Sequence, residues 1–375
     1  MNVIIYDRST TRKPLTLPGV TLRVERYSNA AIGGPYKAVI LADGSDTSLW
    51  SLIAAVGCSV KIYSDDGECR WWGLVKAVNA TLQGSGGRGM VRAGVSFDTM
   101  SNRVAYAYTA IDLDTGTESR QTTAFVDDLV SQSAYGVKEI LMTEDGATTT
   151  HAELARDAYL EQHKYPIPVL ELAMGGSKEA RIECVGWWQT LDWKYYQDLD
   201  TTSLDTAFQV ETIVEAAGQF FDGADVDVWA GEGGVRGSGI TLSDYKDGDA
   251  TGLYEAMKLL ETGTTNSRRM LATVSELRRV RIYEEPEVVT SKTWHIDSEG
   301  NLFYPVGSRA PKFTCPAGIW LRLKDIIPAT VDISLISDPS LAFVEVMEYN
   351  ALEDRLSYIA RGAPDPWQFP VMKDG

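Results

Sequence analysis

Two short runs, Glu68-Cys69-Arg70-Trp71-Trp72 and Glu183-Cys184-Val185-Gly186-Trp187-Trp188, each set two tryptophans side by side in strand-like text. Neighbouring side chains of a β-strand point to opposite faces of the sheet. An adjacent pair of tryptophans in a strand therefore needs apolar cover on both faces. This predicts a β-rich chain whose sheets are packed on their outer surfaces too, a trait of assembly components more than of free enzymes.

Turn signals divide residues 1–111 into candidate strands at Val20–Tyr27, Tyr36–Leu41, Ser59–Tyr63, Cys69–Ala80, Met90–Phe97 and Arg103–Ala110. Short strands at this spacing suit a barrel or a sandwich. Within Cys69–Ala80 the odd positions Cys69, Trp71, Gly73, Val75 and Ala77 are apolar, and Arg70 and Lys76 are even. Trp71 is thus expected in the core and Trp72 outward. In Glu179–Trp188 the even positions Ala180, Ile182, Cys184, Gly186 and Trp188 are apolar, which puts Trp188 inside and Trp187 outside. Trp72 and Trp187 are the interface candidates, expected to face other domains or subunits.

Residues 112–165 change character. Thr123–Ser133 has helical periodicity, and Thr150-His151-Ala152-Glu153 reads as a capping box opening a second helix that ends near Pro166. Strand text returns at 167–197, so a small helical unit interrupts the first β region. Residues 201–290 read as mixed. A helix runs from Thr206, with Gln209 completing a capping box, to a C-terminal Gly218. A second covers about Thr251–Glu261 with Asp249 as its cap, and strands follow at Met270–Ser275 and Val280–Glu284. From 291 the text is β again, with Val331, Ile333 and Leu335 alternating before Leu341–Tyr349 and Arg355–Ile359. The tail 363–366 reads as extended. The fold class is mainly β with α+β parts.

At 375 residues the chain has room for several cores. Its net charge of −17 argues against a nucleic-acid-binding protein, because phosphate affinity comes from clustered Lys and Arg. No apolar run approaches the roughly 18 residues that span a bilayer. The start, Met1-Asn2-Val3-Ile4-Ile5-Tyr6, lacks the pattern of a secretory signal. The expectation is a soluble protein made in a cytoplasm, with no stable membrane insertion.

Cys58, Cys69, Cys184 and Cys315 show no metal spacing. A hairpin turning at Asp66-Gly67 pairs Cys69 with Ser64 and Cys58 with Val75. That separates the two thiols by roughly 16 Å along the strands, beyond the reach of a disulfide. Free, buried thiols are expected. Gly84–Gly89 lacks the Lys-Ser/Thr of a phosphate loop, and Gly231–Gly239 is read likewise as a plain loop. The run 244–249 lacks the bidentate Glu of a calcium loop, and Asp222, Asp225 and Asp227 have no ligand spacing. His151, His163 and His295 form no metal motif and no triad. Acidic pairs for glycoside hydrolysis cannot be picked from 52 Asp and Glu without geometry. No catalytic, cofactor-binding or metal residue is assigned, and no enzyme is expected.

The stretches Trp71-Trp72-Gly73-Leu74-Val75, Val95–Thr109, Gly186–Tyr196 and Arg268–Val274, with Arg281-Ile282-Tyr283-Glu284-Glu285-Pro286, resemble tail proteins of long-tailed bacteriophages. The nearest family is the baseplate or tail-tip hub, including the N-terminal hub part of tail-associated lysins. The resemblance implies two tube-type β-barrel domains joined by smaller mixed α/β domains. On this chain these are a first barrel at 1–111 plus 166–200, a helical insertion at 112–165, a mixed domain at 201–290 and a second barrel at 291–375. It implies a homotrimeric ring adapting a sixfold tail tube to a threefold tip. Implied partners are a tail tube or distal tail protein above, a tail-tip, spike or fibre protein below, and a tape measure protein in the lumen. DNA would pass without specific binding, past a lumen whose negative charge keeps phosphate from sticking. Its place would be the virion tail. Because the text ends soon after Arg361, a hub without its own peptidoglycan-cleaving activity is expected. The alternatives are a receptor- or carbohydrate-binding tail protein and a tail lysin hydrolase.

Overall fold

A computed structural model describes residues 1–9, 12–83, 90–111, 115–173, 178–196, 204–221, 234–242, 250–287, 293–297, 301–303, 317–323 and 341–361. The alternating text of the first region forms β1 (Asn2–Tyr6), β2 (Val20–Ala30), β3 (Gly34–Gly44), β4 (Ser59–Tyr63), β5 (Cys69–Gln83), β6 (Met90–Ser96) and β7 (Arg103–Ile111). Next come β8 (Glu118–Thr122), β9 (Val126–Asp127), β10 (Glu139–Asp145), β11 (Pro168–Ala173) and β12 (Glu179–Val185). The rest contains β13 (Leu204–Asp205), β14 (Thr241–Leu242), β15 (Met270–Val274), β16 (Val280–Glu284), β17 (Trp294–Ile296) and β18 (Leu302–Phe303). The last strands are β19 (Trp320–Leu323), β20 (Leu341–Asn350) and β21 (Arg355–Ala360). Helices are α1 (Asp46–Ser51), α2 (Leu129–Tyr135), α3 (Thr149–His163), α4 (Thr206–Ala217) and α5 (Gly252–Glu261).

The chain is mainly β, and its largest sheet curls into a half-barrel. The strand order is β1-β4-β5-β12-β3-β2-β20-β19-β17-β18, with β6 also on β5, β11 on β6 and β21 on β20. After the insertion the chain returns to this sheet: β11 pairs with β6, and β12 fills the gap between β5 and β3. β20 lies antiparallel to β2, with Tyr27 opposite Tyr349. The first and last β regions therefore share one continuous sheet.

Register explains which side chains fill the half-barrel. Trp71 faces Ile62 and Gly73 faces Val60, while Val75, Cys184, Ala38 and Tyr27 continue the row. An extra residue, Lys76, then interrupts β5 opposite the Glu183–Cys184 step. A bulge of this kind reverses the alternation downstream. The inner face continues as Val78, Ile182, Ile40 and Val24, then Ala80, Ala180 and Ala42. Ala77, expected beside Val75, belongs to the other face. Glu25 in β2 and Glu345 in β20 are bulge residues too. All three are charged and ion-paired: Lys76 with Asp98 at 2.9 Å, Glu25 with Arg181 at 2.7 Å and Glu345 with Arg269 at 2.8 Å.

The 112–165 segment is less helical than expected. β10 pairs in parallel with β7, and β8 and β9 pair antiparallel with it, forming a separate four-stranded sheet. The helix expected at Thr123–Ser133 starts only at Leu129, because Val126 and Asp127 are taken into β9. α3 is capped by Thr148, whose hydroxyl accepts the His151 N–H, and not by Thr150. α4 is capped by Asp205, and the Gln209 amide donates to the carbonyls of Leu204 and Leu242 and not to the cap. Thr251 caps α5. The run 84–89, residues 222–233 and 243–249, Cys315, the 331–335 alternation and the tail 363–366 lie outside the described residues.

Candidate functional site at the tryptophan pairs

The first Trp pair behaves as a strand pair. Trp71 is fully buried and its indole N–H donates to the Ser28 carbonyl at 3.1 Å. Trp72 emerges on the other face, half-buried, and donates to the Val274 carbonyl at 3.1 Å. Its cover is the β15–β16 hairpin of the same chain. Two ion pairs tie that hairpin to the far end of the sheet: Arg269 with Glu345 and Arg361 with Glu285.

The second pair does not obey strand parity. A Cβ on Gly186 would lie 1.6 Å from the Pro35 carbonyl oxygen, so only glycine fits where the chain crosses β3. β12 has ended at Val185, and Trp187–Trp193 forms a 3-10 helix. Trp187 is therefore not turned outward. It is 3% exposed, 5.6 Å from the Phe220 ring and 3.8 Å below the Arg278 guanidinium. Trp188 is buried as expected, packed against Gly33, where a Cβ would lie 2.8 Å from the indole and the φ of +95° is one that glycine adopts without strain.

Although they point differently, Trp72 and Trp187 meet. Both line one open cavity of about 390 Å³, together with Tyr6, Lys61, Arg278 and Arg279. The arginines of this cavity escaped sequence reading because Arg278 and Arg279 match no motif and lie far along the chain from Trp72 and Trp187.

A second feature is the open edge of the sheet. β11 pairs with β6 on one side, and no described strand pairs with its other side. It exposes Val169 (62%), Leu170 (66%) and Leu172 (85%), which alternate across both faces. Leu129, Val130, Tyr165 and Ile167 are exposed in the adjoining segments. The run Ile167-Pro168-Val169-Leu170 without polar alternation was the available signal.

Groups that could do chemistry are dispersed. Cys58, Cys69 and Cys184 are free. Burial raises all three thiols, that of Cys69 to about 12, so they are protonated and unreactive at neutral pH. His163 stacks on Tyr159 at 3.9 Å at the end of α3, His151 sits at its start, and His295 lies in β17. Among the described residues no group of three His, Cys, Asp or Glu is placed to hold a metal ion, and no helix is long and apolar enough to cross a membrane. The described part of the second glycine-rich loop is structural: Asp205 accepts the N–H groups of Ser238 and Gly239 at 2.9 and 2.7 Å. No protein-family model matches this chain, and no curated protein matches it.

Proposed function

We propose that this chain is a structural virion protein of a tailed bacteriophage, a baseplate or tail-tip hub that forms a trimeric ring and adapts the sixfold tail tube to threefold symmetry. The observation that carries the reading is the β11 edge. A strand with an unpaired side and apolar residues on both faces is an aggregation liability in a free monomer. It suits a subunit whose neighbour pairs with that edge. The interrupted sheet supports the same reading, since the chain leaves it after β6 and returns as β11 and β12. Two tube-type barrels per subunit, a tail-tube neighbour, a tip neighbour and a tape measure protein in the lumen belong to this proposal, as does the absence of enzymatic activity. The −17 charge supports a channel that lets DNA slide.

Receptor or carbohydrate binding has less support. A sugar platform needs open aromatic faces, but Arg278 covers Trp187 and the Trp72 N–H is engaged by Val274.

Imaging of the particle that contains this chain tests the proposal. Threefold density around an axial channel is the expected result, and a peripheral fibre-like location would overturn it. Leu172→Lys on the exposed edge should block ring formation while leaving the melting temperature of the isolated chain unchanged.

A further inference from the structure

The core-facing rows of the half-barrel end on uncovered side chains. One row runs Ala42, Ala180, Ala80, Ala93 and Leu170 across β3, β12, β5, β6 and β11. The four alanines are buried, yet Leu170 is 66% exposed. The next row ends Leu82, Val91, Leu172, and Leu172 is 85% exposed. Both leucines thus lie on the face that the core covers elsewhere, at the place where that cover stops. β8 shows how an edge suited to water differs. It is the outer strand of the four-stranded sheet, and Glu118, Ser119, Arg120, Gln121 and Thr122 are all polar and exposed. A strand added to β11 has to bring large apolar side chains on its core-facing parity.

Beyond β21 the sequence supplies such a strand. Trp367, Phe369 and Val371 alternate with Gln368, Pro370 and Met372. Neighbouring residues of a strand turn their N–H groups to opposite sides. With Phe369 bonded to an edge, the missing donor of Pro370 therefore points away from it. Ahead of this run stands Gly362-Ala363-Pro364-Asp365-Pro366. Each proline holds its predecessor extended, which makes a stiff spacer of about 3.1 Å per residue and a reach of about 19 Å from Arg361 to Trp367. The other alternating run, 331–335, is anchored on both sides by β19 and β20 of its own subunit.

The arm cannot reach β11 of its own copy. β21 and β11 are the two ends of the run β21-β20-β2-β3-β12-β5-β6-β11. Its strand spacings add up to about 34 Å along the sheet. The shorter line across the curl is filled by the buried apolar cluster. We propose that residues 367–372 of one copy add a strand to the β11 edge of a second copy, laying Trp367, Phe369 and Val371 beside Leu170 and Leu172. Backbone pairing joins the copies, and the alternate side chains fix the register. Donor and acceptor surfaces differ, so each copy gives its arm to one neighbour and takes an arm from another. The inference rests on the hub reading in one respect, that a neighbour pairs with β11, and it names the strand that does so.

Sedimentation of the full chain and two variants tests it. Phe369→Lys spoils the arm and Leu172→Lys spoils the edge; each alone should weaken self-association at least about tenfold. Their equimolar mixture should recover one intact contact, the arm of the Leu172→Lys copy on the edge of the Phe369→Lys copy, and form a dimer that grows no further. A wild-type chain that stays monomeric at about 0.1 mM, undiminished association of Phe369→Lys, or a mixture as dissociated as its parts would each overturn the proposal. Should either variant misfold, a benzoylphenylalanine at position 172 supplies a second readout. In a mixture of isotope-labelled and unlabelled copies, its cross-links should join β11 of one copy to residues 363–372 of another. Cross-links within one copy would end the proposal. A trimer cross-linked from β11 to β21 would end it too and leave the hub reading standing, whereas exchanged arms in a dimer or an open chain would do the reverse.

Discussion

The half-barrel and the insertion at its side are held together by different forces. The half-barrel buries Trp71, Ile40, Ile62, Val78 and Ile182 completely, and its apolar cluster extends without a break into α4, α5 and the β15–β16 hairpin. The insertion has a separate small cluster of Tyr106, Tyr108, Ala147 and Ala152. Its two tyrosines keep their hydroxyls in polar company: Tyr106 bonds to Glu144, and Tyr108 to Gln121 and Thr149. At the base of the insertion stands Asn102, fully buried. Its side-chain amide donates to Ser131 and to the Gly136 carbonyl, and its oxygen accepts the Lys138 N–H. Apolar area stabilises the first region in a distributed way, whereas directional bonds carry more of the second: besides those of Asn102, the Gln219 amide bonds both ways to the Val137 backbone and Glu139 accepts the Tyr195 N–H. The insertion should therefore open locally at a lower free energy than the sheet.

Substitutions in the two regions test this contrast. Trp71→Ala should cost about 3–5 kcal/mol and lower the urea midpoint of the whole chain, since it empties the middle of the shared cluster. Separate loss of the first strands with β20 still protected from hydrogen exchange would break the claim of one continuous sheet. Asn102→Ala should cost about 1–3 kcal/mol by leaving buried donors and acceptors unpaired. Its effect should be confined to faster exchange in α2 and β10, with β3 and β5 unchanged; equal acceleration everywhere would show the two regions to be one cooperative unit.

A smaller effect sharpens the comparison at the junction. Burial lowers the Lys138 ammonium from its ordinary 10.5 to about 8, with Asp98 acting in the opposite direction. Between those two values the unfolded chain binds more protons at this site than the folded one. Its contribution to stability therefore rises as pH increases from about 8 toward 10.5, and below 8 the full cost of the buried charge remains. Lys138→Met should flatten that rise in urea midpoints measured from pH 7 to 9.5. An identical slope in both proteins would mean that Lys138 is solvated.

Much of this was legible in the sequence where local chemistry and tertiary packing agree. β4 spans Ser59–Tyr63 as read, because an alternating apolar run is bounded by a glycine before it and the Asp66-Gly67 turn after it. Cys58 does pair with Val75 as expected, but the turn sets Cys69 opposite Tyr63 and not Ser64, and a bulge at Arg70 restores the expected register beyond it. Failures came where a long-range contact decides. A single inserted residue at Lys76 reverses strand parity, and nothing local marks it. Trp187 and Trp188 leave the strand because Gly186 abuts Pro35, a neighbour distant in sequence. Thr148, Thr149 and Thr150 are chemically equal caps, so packing chooses among them. β10 was hidden inside a segment read as helical, although Glu139-Ile140-Leu141-Met142-Thr143 has the apolar run of a buried strand. As for the candidate site, Trp72 was recognised from sequence, but the arginines around it were not.

The pairing of β2 with β20 sets a timetable for synthesis. Tyr27 leaves the ribosome roughly three hundred residues before Tyr349, its partner. At roughly 5–20 residues per second that delay is on the order of tens of seconds. Throughout it, one side of β2 is an unpaired template for other nascent chains. Folding of the half-barrel must wait until β20 has been made, and a ribosome that stalls before residue 341 releases a chain with an adhesive edge.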